Sequence, residues 1–560
     1  MPGKYLHLTL VLAMSTLVAG CGLGKKGQPG TQTAQTQINV PPEFKGTVAE
    51  QAFMQGGEPL AVGGYSLVVG LGKNGSSECD PRIEAYLVDY LKKVHKLGWS
   101  IHNTKNIDPR KIIRDFDTSV VFVRGVIPPG APKGTRIDLE VRPLPGSQTV
   151  RLDGGLLMPT ELYRLINGVP SASTGSPVMA MGAGPLLVNP FVEATSPENL
   201  RQLCNGRIVG GGLVSEHRPI RLQLHHPDHG RVSYLAKRIN ERFSAANKDV
   251  ARGVNNYQIE LEIPRSYREN YERFTQLVMH LPMVAGGDLD AMTLRVAELM
   301  DKPETTAHED LALIWEAIGR QTVGTVQRFY ASKDPRIAFL AARTGLRLGD
   351  KQGAELMITA ALMRGDYQLK AIEELGWHGE VLKAGSALRQ LLESECDDEL
   401  VRLAAYESLL RRGDPCIQTT DVEKHFKLDV VPSKSRFAIY ARQSGEPRIV
   451  LFGRDIPLTK PMFYCSNDLI TLNANAGDSE ITGYRTVAST GTVSSPFSIK
   501  FDVESLILTL GQKAEKDAGE KFRGMGLTYG QIVSVLSRMC KDGCIRAQFV
   551  LQPLPDIQKI

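Results

Sequence analysis

Apolar positions along this chain follow two rhythms, and both meet within residues 219–243. Ile220, Leu222 and Leu224 alternate with Arg221 and Gln223, the period-two pattern of a strand with one buried face. Pro227 breaks that strand, and Asp228 stands where its carboxylate can cap the first turn of a helix. Val232, Leu235, Ala236, Ile239 and Phe243 then recur at helical spacing, which gives the helix one apolar face. A strand that turns directly into an amphipathic helix is a packing unit rather than a catalytic one. Strand-like runs also mark residues 62–69 and 120–123, and Ile259, Leu261 and Ile263 alternate. So do residues 137–141, where Asp138 and Glu140 share the wet face of the predicted strand.

Around Asp288 the strand rhythm stops, and Ala, Leu, Arg and Glu recur at helical spacing to about Gly413. A repeat of 32 residues runs through this stretch. Asp334, Asp366 and Asp398 begin three similar helices, with Ile337, Leu369 and Val401 in one apolar slot. Ala341 matches Ala405, Leu346 matches Leu410, Arg347 matches Arg411, and Gly349 with Asp350 matches Gly413 with Asp414. Second helices are predicted over 354–363 and 381–392. Stacked helix pairs of this period form a short α-solenoid of HEAT-like character, whose natural use is a protein-binding surface.

After Thr419 the strands return. Residues 437–440 and 448–453 read as a hairpin turning over 444–447. Residues 467–495 carry no clear period, and 505–510 is an apolar run. Thr528 and Gln531 have capping-box spacing, Ile532, Val533, Leu536 and Met539 form the apolar face of the helix that follows, and Gly543 ends it. Ile545, Ala547 and Phe549 make a final strand. The fold class is α+β, sheet and helix regions interrupted by an all-α helical-hairpin segment.

The first twenty residues have the form of an export signal, with Lys4 ahead of a mostly apolar run over 6–17 that is too short to span a bilayer comfortably. Leu17, Val18, Ala19 and Gly20 precede Cys21, a sequence similar to a bacterial lipobox. That similarity implies cleavage after Gly20 and lipidation of Cys21, with Gly22 favouring the outer membrane. Residues to about 44 are rich in Gly, Lys, Gln, Thr and Pro and have almost nothing to bury. Such a tether reaches at most about 65 Å and averages about 25 Å as a coil.

The remaining length calls for several folded units. A formal charge of +5 gives no push toward nucleic acid. Of eight cysteines, one is assigned to lipid, and the odd remainder leaves at least one unpaired or shared between chains. Cys540 and Cys544 lie four apart, without a pairing that the sequence fixes.

Candidate chemistry is thin. Gly70, Gly72 and Gly75 match the spacing of a dinucleotide fingerprint, but that fingerprint needs its third glycine to open a helix, and here the helical pattern starts only near Arg82. Asp138 and Glu140 have the spacing of neighbours on one strand face, with nothing to mark a cleft around them. His217, His225, His226 and His229 cluster in sequence, yet lack the spaced partners of a metal site. They read as polar residues at a strand end. Neither a nucleophile elbow nor a P-loop is present.

Several motifs, in order, resemble the flagellar P-ring protein family of bacterial basal bodies. They are the string from Gly64 to Leu71, with Ser66 at the family's second glycine; Pro128 and Pro129; Gly134, Arg136, Ile137 and Asp138; Gly154, Gly155 and Leu157; the 219–243 stretch; and the closing helix and strand. The resemblance covers 45–285 and 419–560. It implies a structural component with no catalytic residue, cofactor or metal, a homo-oligomeric ring in the periplasm around the flagellar rod. Its neighbours there would be rod and L-ring proteins and peptidoglycan. Two features depart from the family: the lipobox, where an ordinary cleaved signal is typical, and the helical block. The expected organisation is therefore signal 1–20, tether 21–44, P-ring-like region 45–285, helical-repeat insertion 286–418 and P-ring-like C-terminal region 419–560. The alternative is a lipid-anchored periplasmic adaptor or scaffold of another envelope assembly.

Overall fold

The computed structural model describes residues 41–553 apart from 97–107, 172–175, 193–195, 245–247, 284–287, 303–304, 394–397, 467–468, 488–491, 495 and 514–523. Cys21, the signal segment and the tether to residue 40 lie outside the described residues. All elements below belong to one unit, Pro42–Ile560.

Six antiparallel strands form the first layer: Leu60–Val69, Thr118–Ile127, Arg136–Pro143, Leu156–Ile166, Ala180–Pro185 and Gly206–Val214. Leu60–Val69 pairs with Thr118–Ile127 on one side and with Leu156–Ile166 on the other. The sheet therefore closes into a barrel, which removes the exposed edges of the six. Closure on few strands needs sharp bends, and the ladder shifts register beside Gly63, Ile137 and Leu157. Gly64 is where the first and fourth strands crowd. A Cβ there would lie 2.4 Å from the Glu161 carbonyl oxygen, so only glycine fits.

The alternating residues point as expected: Val62, Val123, Leu139, Val141, Leu162 and Ile208 pack together in the barrel core, each burial stabilising by about 1.5–3 kcal/mol. On the outside, Leu87, Leu91 and Ile112 from helices Pro81–Lys96 and Pro109–Ile113 cover Leu67, Val120 and Met158.

The 219–243 stretch forms as its pattern dictates. Strand Ile220–Leu224 buries Ile220, Leu222 and Leu224, and helix His229–Phe243 buries all five residues of its predicted apolar face. The Asp228 carboxylate accepts from the amides of Gly230 and Arg231 at 2.8 and 3.1 Å. The strand lies between Ala52–Gln55 and Gln258–Leu261 in a four-stranded antiparallel sheet that ends on Ala251–Gly253. The whole barrel thus lies, in sequence, between two paired strands of this small sheet.

Helices then run from Asp288–Met300 to Glu399–Arg411. The second helices occur at Lys351–Leu362 and Leu382–Glu393. Asp334 and Asp398 cap their helices as the repeat predicts. Asp366 does not: the middle helix starts at Gln368, after a Tyr367 that makes no side-chain cap. Tyr367 instead stacks on Phe339, with ring centroids 4.6 Å apart, and Leu369 is 42% exposed where Val401 is 2% exposed. The shared apolar slot is therefore a sequence likeness whose burial differs from copy to copy.

This helical segment is packed at both ends. Leu313 and Ala317 enter the core of the small sheet. At the far end, helix Glu399–Arg411 shares a core with Val431, Tyr440, Val450 and Phe452 of the C-terminal sheet. That sheet has the order Gln418–Val422, Phe426–Val431, Arg448–Phe452, Ala438–Ala441, Gln548–Leu551. The predicted hairpin is its Ala438–Ala441 and Arg448–Phe452 pair. The 505–510 run lies in helix Val503–Gly511, capped by Asp502, and helix Tyr529–Lys541 has the capping box of Thr528 and Gln531. Residues 467–495, without a period in sequence, supply strands Ile470–Ala474 and Ile481–Val487 of a separate small meander. The last strand starts at Gln548 rather than Ile545, because Ile545 is drawn off to bridge Leu458.

Candidate functional site: a buried seam and an open cleft

The barrel and the C-terminal sheet meet at a charged seam. Arg207, on strand Gly206–Val214, is 7% exposed and lies 3.6 Å from both Asp138 and Glu140. Its Nε donates to the Gln443 carbonyl at 2.9 Å. Asp138 accepts from the Gly210 amide at 2.8 Å, the Ser444 hydroxyl at 2.5 Å and the Gly445 amide at 3.1 Å. The strand face expected to be wet is therefore covered by the 443–446 turn, and its two carboxylates are counter-ions for a buried guanidinium. Gly210, at φ +60°, admits this contact: a Cβ would stand 2.8 Å from the Gly445 carbonyl oxygen.

A second set of contacts continues the seam. The Tyr529 hydroxyl donates to the carbonyls of Arg442 and Arg448 at 2.6 and 3.1 Å, and burial holds its phenol far above the ordinary range. Gly530 backs onto the Leu186 carbonyl, which a Cβ would approach to 2.5 Å. Leu187 and Val209 enter the apolar core that holds Ile532, Leu536 and Met539. On the opposite face of the sheet, fully buried Asp429 accepts from Tyr406, Arg448 and Thr419 at 2.5–2.7 Å. This cluster fixes the last helix of the helical segment to the sheet.

Beside the seam opens a cleft of about 750 Å³. Its apolar wall carries Leu156, Pro185, Ile208, Phe426 and Leu527. Arg136, Lys424, Lys427, Arg485 and Lys513 line it with Asp421 and Glu446. Lys427 is paired with Glu446 at 2.8 Å.

The sequence-level candidates fall elsewhere. Gly70 and Gly72 turn their amides to the Asp117 carboxylate, at 3.3 and 2.6 Å, so the chain's own carboxylate occupies the place a phosphate would take. Among the described residues, no group of His, Cys, Asp and Glu is placed to hold a metal. His225 stacks on Phe53, with centroids 5.6 Å apart, and its pKa is held below the ordinary value by burial first and His226 second. Cys540 and Cys544 are both free thiols. Arg207, Asp429 and Arg485 were not singled out from sequence. The available signal was a charged residue bounding or interrupting an apolar strand run, as Arg207 does before Ile208 and Arg448 before Ile449; their partners lie far off in sequence.

These layers define an α+β scaffold organised around a closed antiparallel barrel nested in a small sheet. Residues 48–288, which hold the barrel, the small sheet and the helix beneath it, match the family model described as "Flagellar P-ring protein". Flagellar P-ring proteins are also among its relatives. That of Anaeromyxobacter sp. (strain K) is 30% identical over 236 residues, covering 40% of this chain and 57% of its own length. That of Geobacter metallireducens is 28% identical over 222 residues, covering 38% and 54%. That of Thermotoga maritima is 25% identical over 239 residues, covering 41% and 65%. Through this region the chain is similar to flagellar P-ring proteins, and it spans a little over half the length of the first of these relatives. Among the described residues, no helix is long and apolar enough to cross a membrane.

Proposed function

We propose that this protein is a structural subunit of the flagellar P ring, a homo-oligomer in the periplasm that surrounds the rod as a bushing and needs no catalytic group. The observation that carries the reading is the coincidence of the family match, residues 48–288, with the closed barrel and the small sheet that brackets it in sequence. Ring closure requires heterologous interfaces repeated between copies. Rod and L-ring proteins and peptidoglycan would be its neighbours. Residues 419–560 would complete the P-ring-like part, residues 286–418 would be a HEAT-like insertion, and Cys21 would carry lipid that tethers the ring to the outer membrane. A tag on the C-terminus, imaged by electron microscopy of purified basal bodies, tests this: label on rings at the rod is the expected result. Label that stays in the outer-membrane fraction while basal bodies are intact and bare rejects it. Retention of Cys21→Ser in the outer-membrane fraction would remove the anchor from the proposal.

A second reading, a lipid-anchored adaptor of another envelope assembly, draws support from apolar side chains on the helical segment: Met363, Leu382 and Leu400 are 64%, 82% and 58% exposed. A deletion strain that swims normally favours it.

A further inference from the structure

The cleft beside the seam contains a cation without a counter-ion among the described residues. Arg485, half-buried on strand Ile481–Val487, donates through one terminal nitrogen to the Met525 carbonyl. Its Nε is buried and has no hydrogen-bond partner among the described residues. Burial lowers its pKa, and no described carboxylate offsets that. An uncompensated charge removed from water is costly, so the site favours an anion. Among the described residues, Arg136 reaches the Gly210 carbonyl and no carboxylate, and Lys513 has Glu423 no nearer than 3.8 Å. Of the acidic lining, Glu446 is already held by Lys427 and Arg448 at 2.8 and 2.5 Å, and Asp421 accepts from the Lys424 amide at 2.7 Å, which leaves five cations against two carboxylates.

These cations come from four separate stretches of chain around an apolar wall. A compact inorganic anion would satisfy one of them and leave the apolar wall wet. A chain that presents carboxylates on one side and apolar groups on the other satisfies both, and about 750 Å³ is the volume of a pocket that buries a drug-sized group, room for a few side chains of such a segment. We propose that this cleft binds an acidic peptide segment of a partner protein, with its carboxylates on Arg485, Arg136 and Lys424 and its apolar side chains against Ile208, Phe426 and Leu527. The proposal is independent of ring assembly.

The test is calorimetric titration of the full-length protein with an octapeptide of alternating Glu and Leu. Saturable one-to-one binding is expected, weakened about tenfold or more by Arg485→Gln, because a charge-assisted contact is lost. Lys424→Gln, on an exposed turn, should weaken it about two- to fivefold. Thermal melting checks the fold: Arg485→Gln removes an uncompensated charge, so its Tm should equal or exceed that of the parent. Equal binding of the Gln–Leu octapeptide, or parent-like binding by both variants, overturns the proposal. Displacement of the peptide by an equal concentration of inorganic phosphate also overturns it, in favour of a small-anion site.

Discussion

The barrel and the helical segment solve the same problem with different chemistry. In the barrel, strands close on themselves, the ladder satisfies the backbone, and close approach is secured by leaving side chains out, as at Gly64. In the helical segment, side chains do the joining. Glu316, 6% exposed, lies between Arg273 of helix Tyr271–Met279 and Arg347 of helix Pro335–Leu348, with Arg347 Nη1 at 3.1 Å. Arg347 in turn donates to Glu374 of the next helix but one, from Nε at 3.0 Å. Burial first, and the like charges of Arg347 and Arg343 next, push the Arg273 pKa below its ordinary value. A layer closed by its backbone depends on shape, whereas a stack joined to its neighbours by buried charges depends on pairing and therefore on pH.

The largest expected effect breaks that pairing. Glu316→Ala leaves two buried guanidinium groups short of a partner and should destabilise by about 3–5 kcal/mol, read as a shift in the urea midpoint. Replacement of the whole set by apolar residues should be far milder. In the barrel, a change that only adds volume should act nearly as strongly. Gly64→Ala drives a methyl against the Glu161 carbonyl and should cost about 2–3 kcal/mol. A neutral result there would mean that the first and fourth strands are free to separate.

Acid separates the two regions next. Burial raises the Glu374 pKa, but Arg347, then Arg343 and Arg273, outweigh it and hold the carboxyl below its usual range. A depressed folded pKa means that its stabilisation is complete above the unfolded value of about 4.3 and disappears as pH falls through the folded one. Hydrogen exchange should therefore show the helical segment opening before the barrel as pH drops below about 4, and Glu374→Gln should flatten that dependence. The smallest effect concerns the helix starts. Asp334→Ala should lower stability by about 1 kcal/mol through a lost cap. Asp366→Ala, at the repeat position that makes no cap, should change it by less than about 0.5 kcal/mol. Equal losses would contradict the difference between the two copies.

What was legible in sequence follows the same division. Local rules were enough for the cap of Asp228, the box of Thr528 and Gln531, and the five buried positions of helix His229–Phe243, since each depends on residues within a few positions. Long-range pairing was not legible. Nothing near Asp138 announces that residues 443–446 cover it, and nothing in 467–495 signals a meander whose strands are short and partly polar. The copy-to-copy likeness of Asp334, Asp366 and Asp398 held only where no neighbour intervened, and Tyr367 stacking on Phe339 overrides it in the middle. The cleft was hidden for the same reason, because its walls come from both sides of the helical segment in sequence.

The nesting of the barrel inside the small sheet also implies an order of folding. Among the described residues Ala52–Gln55 pairs with Ile220–Leu224 and no other strand, so a chain emerging from its N-terminus presents this strand long before its partner exists. The barrel between them can close first, because its six strands need nothing outside residues 60–214 for their ladder. Its closure brings residues 60 and 214 to fixed positions and shortens the loop that the small sheet must otherwise span. On that order the barrel would act as the assembly jig for the strand–helix unit that follows it.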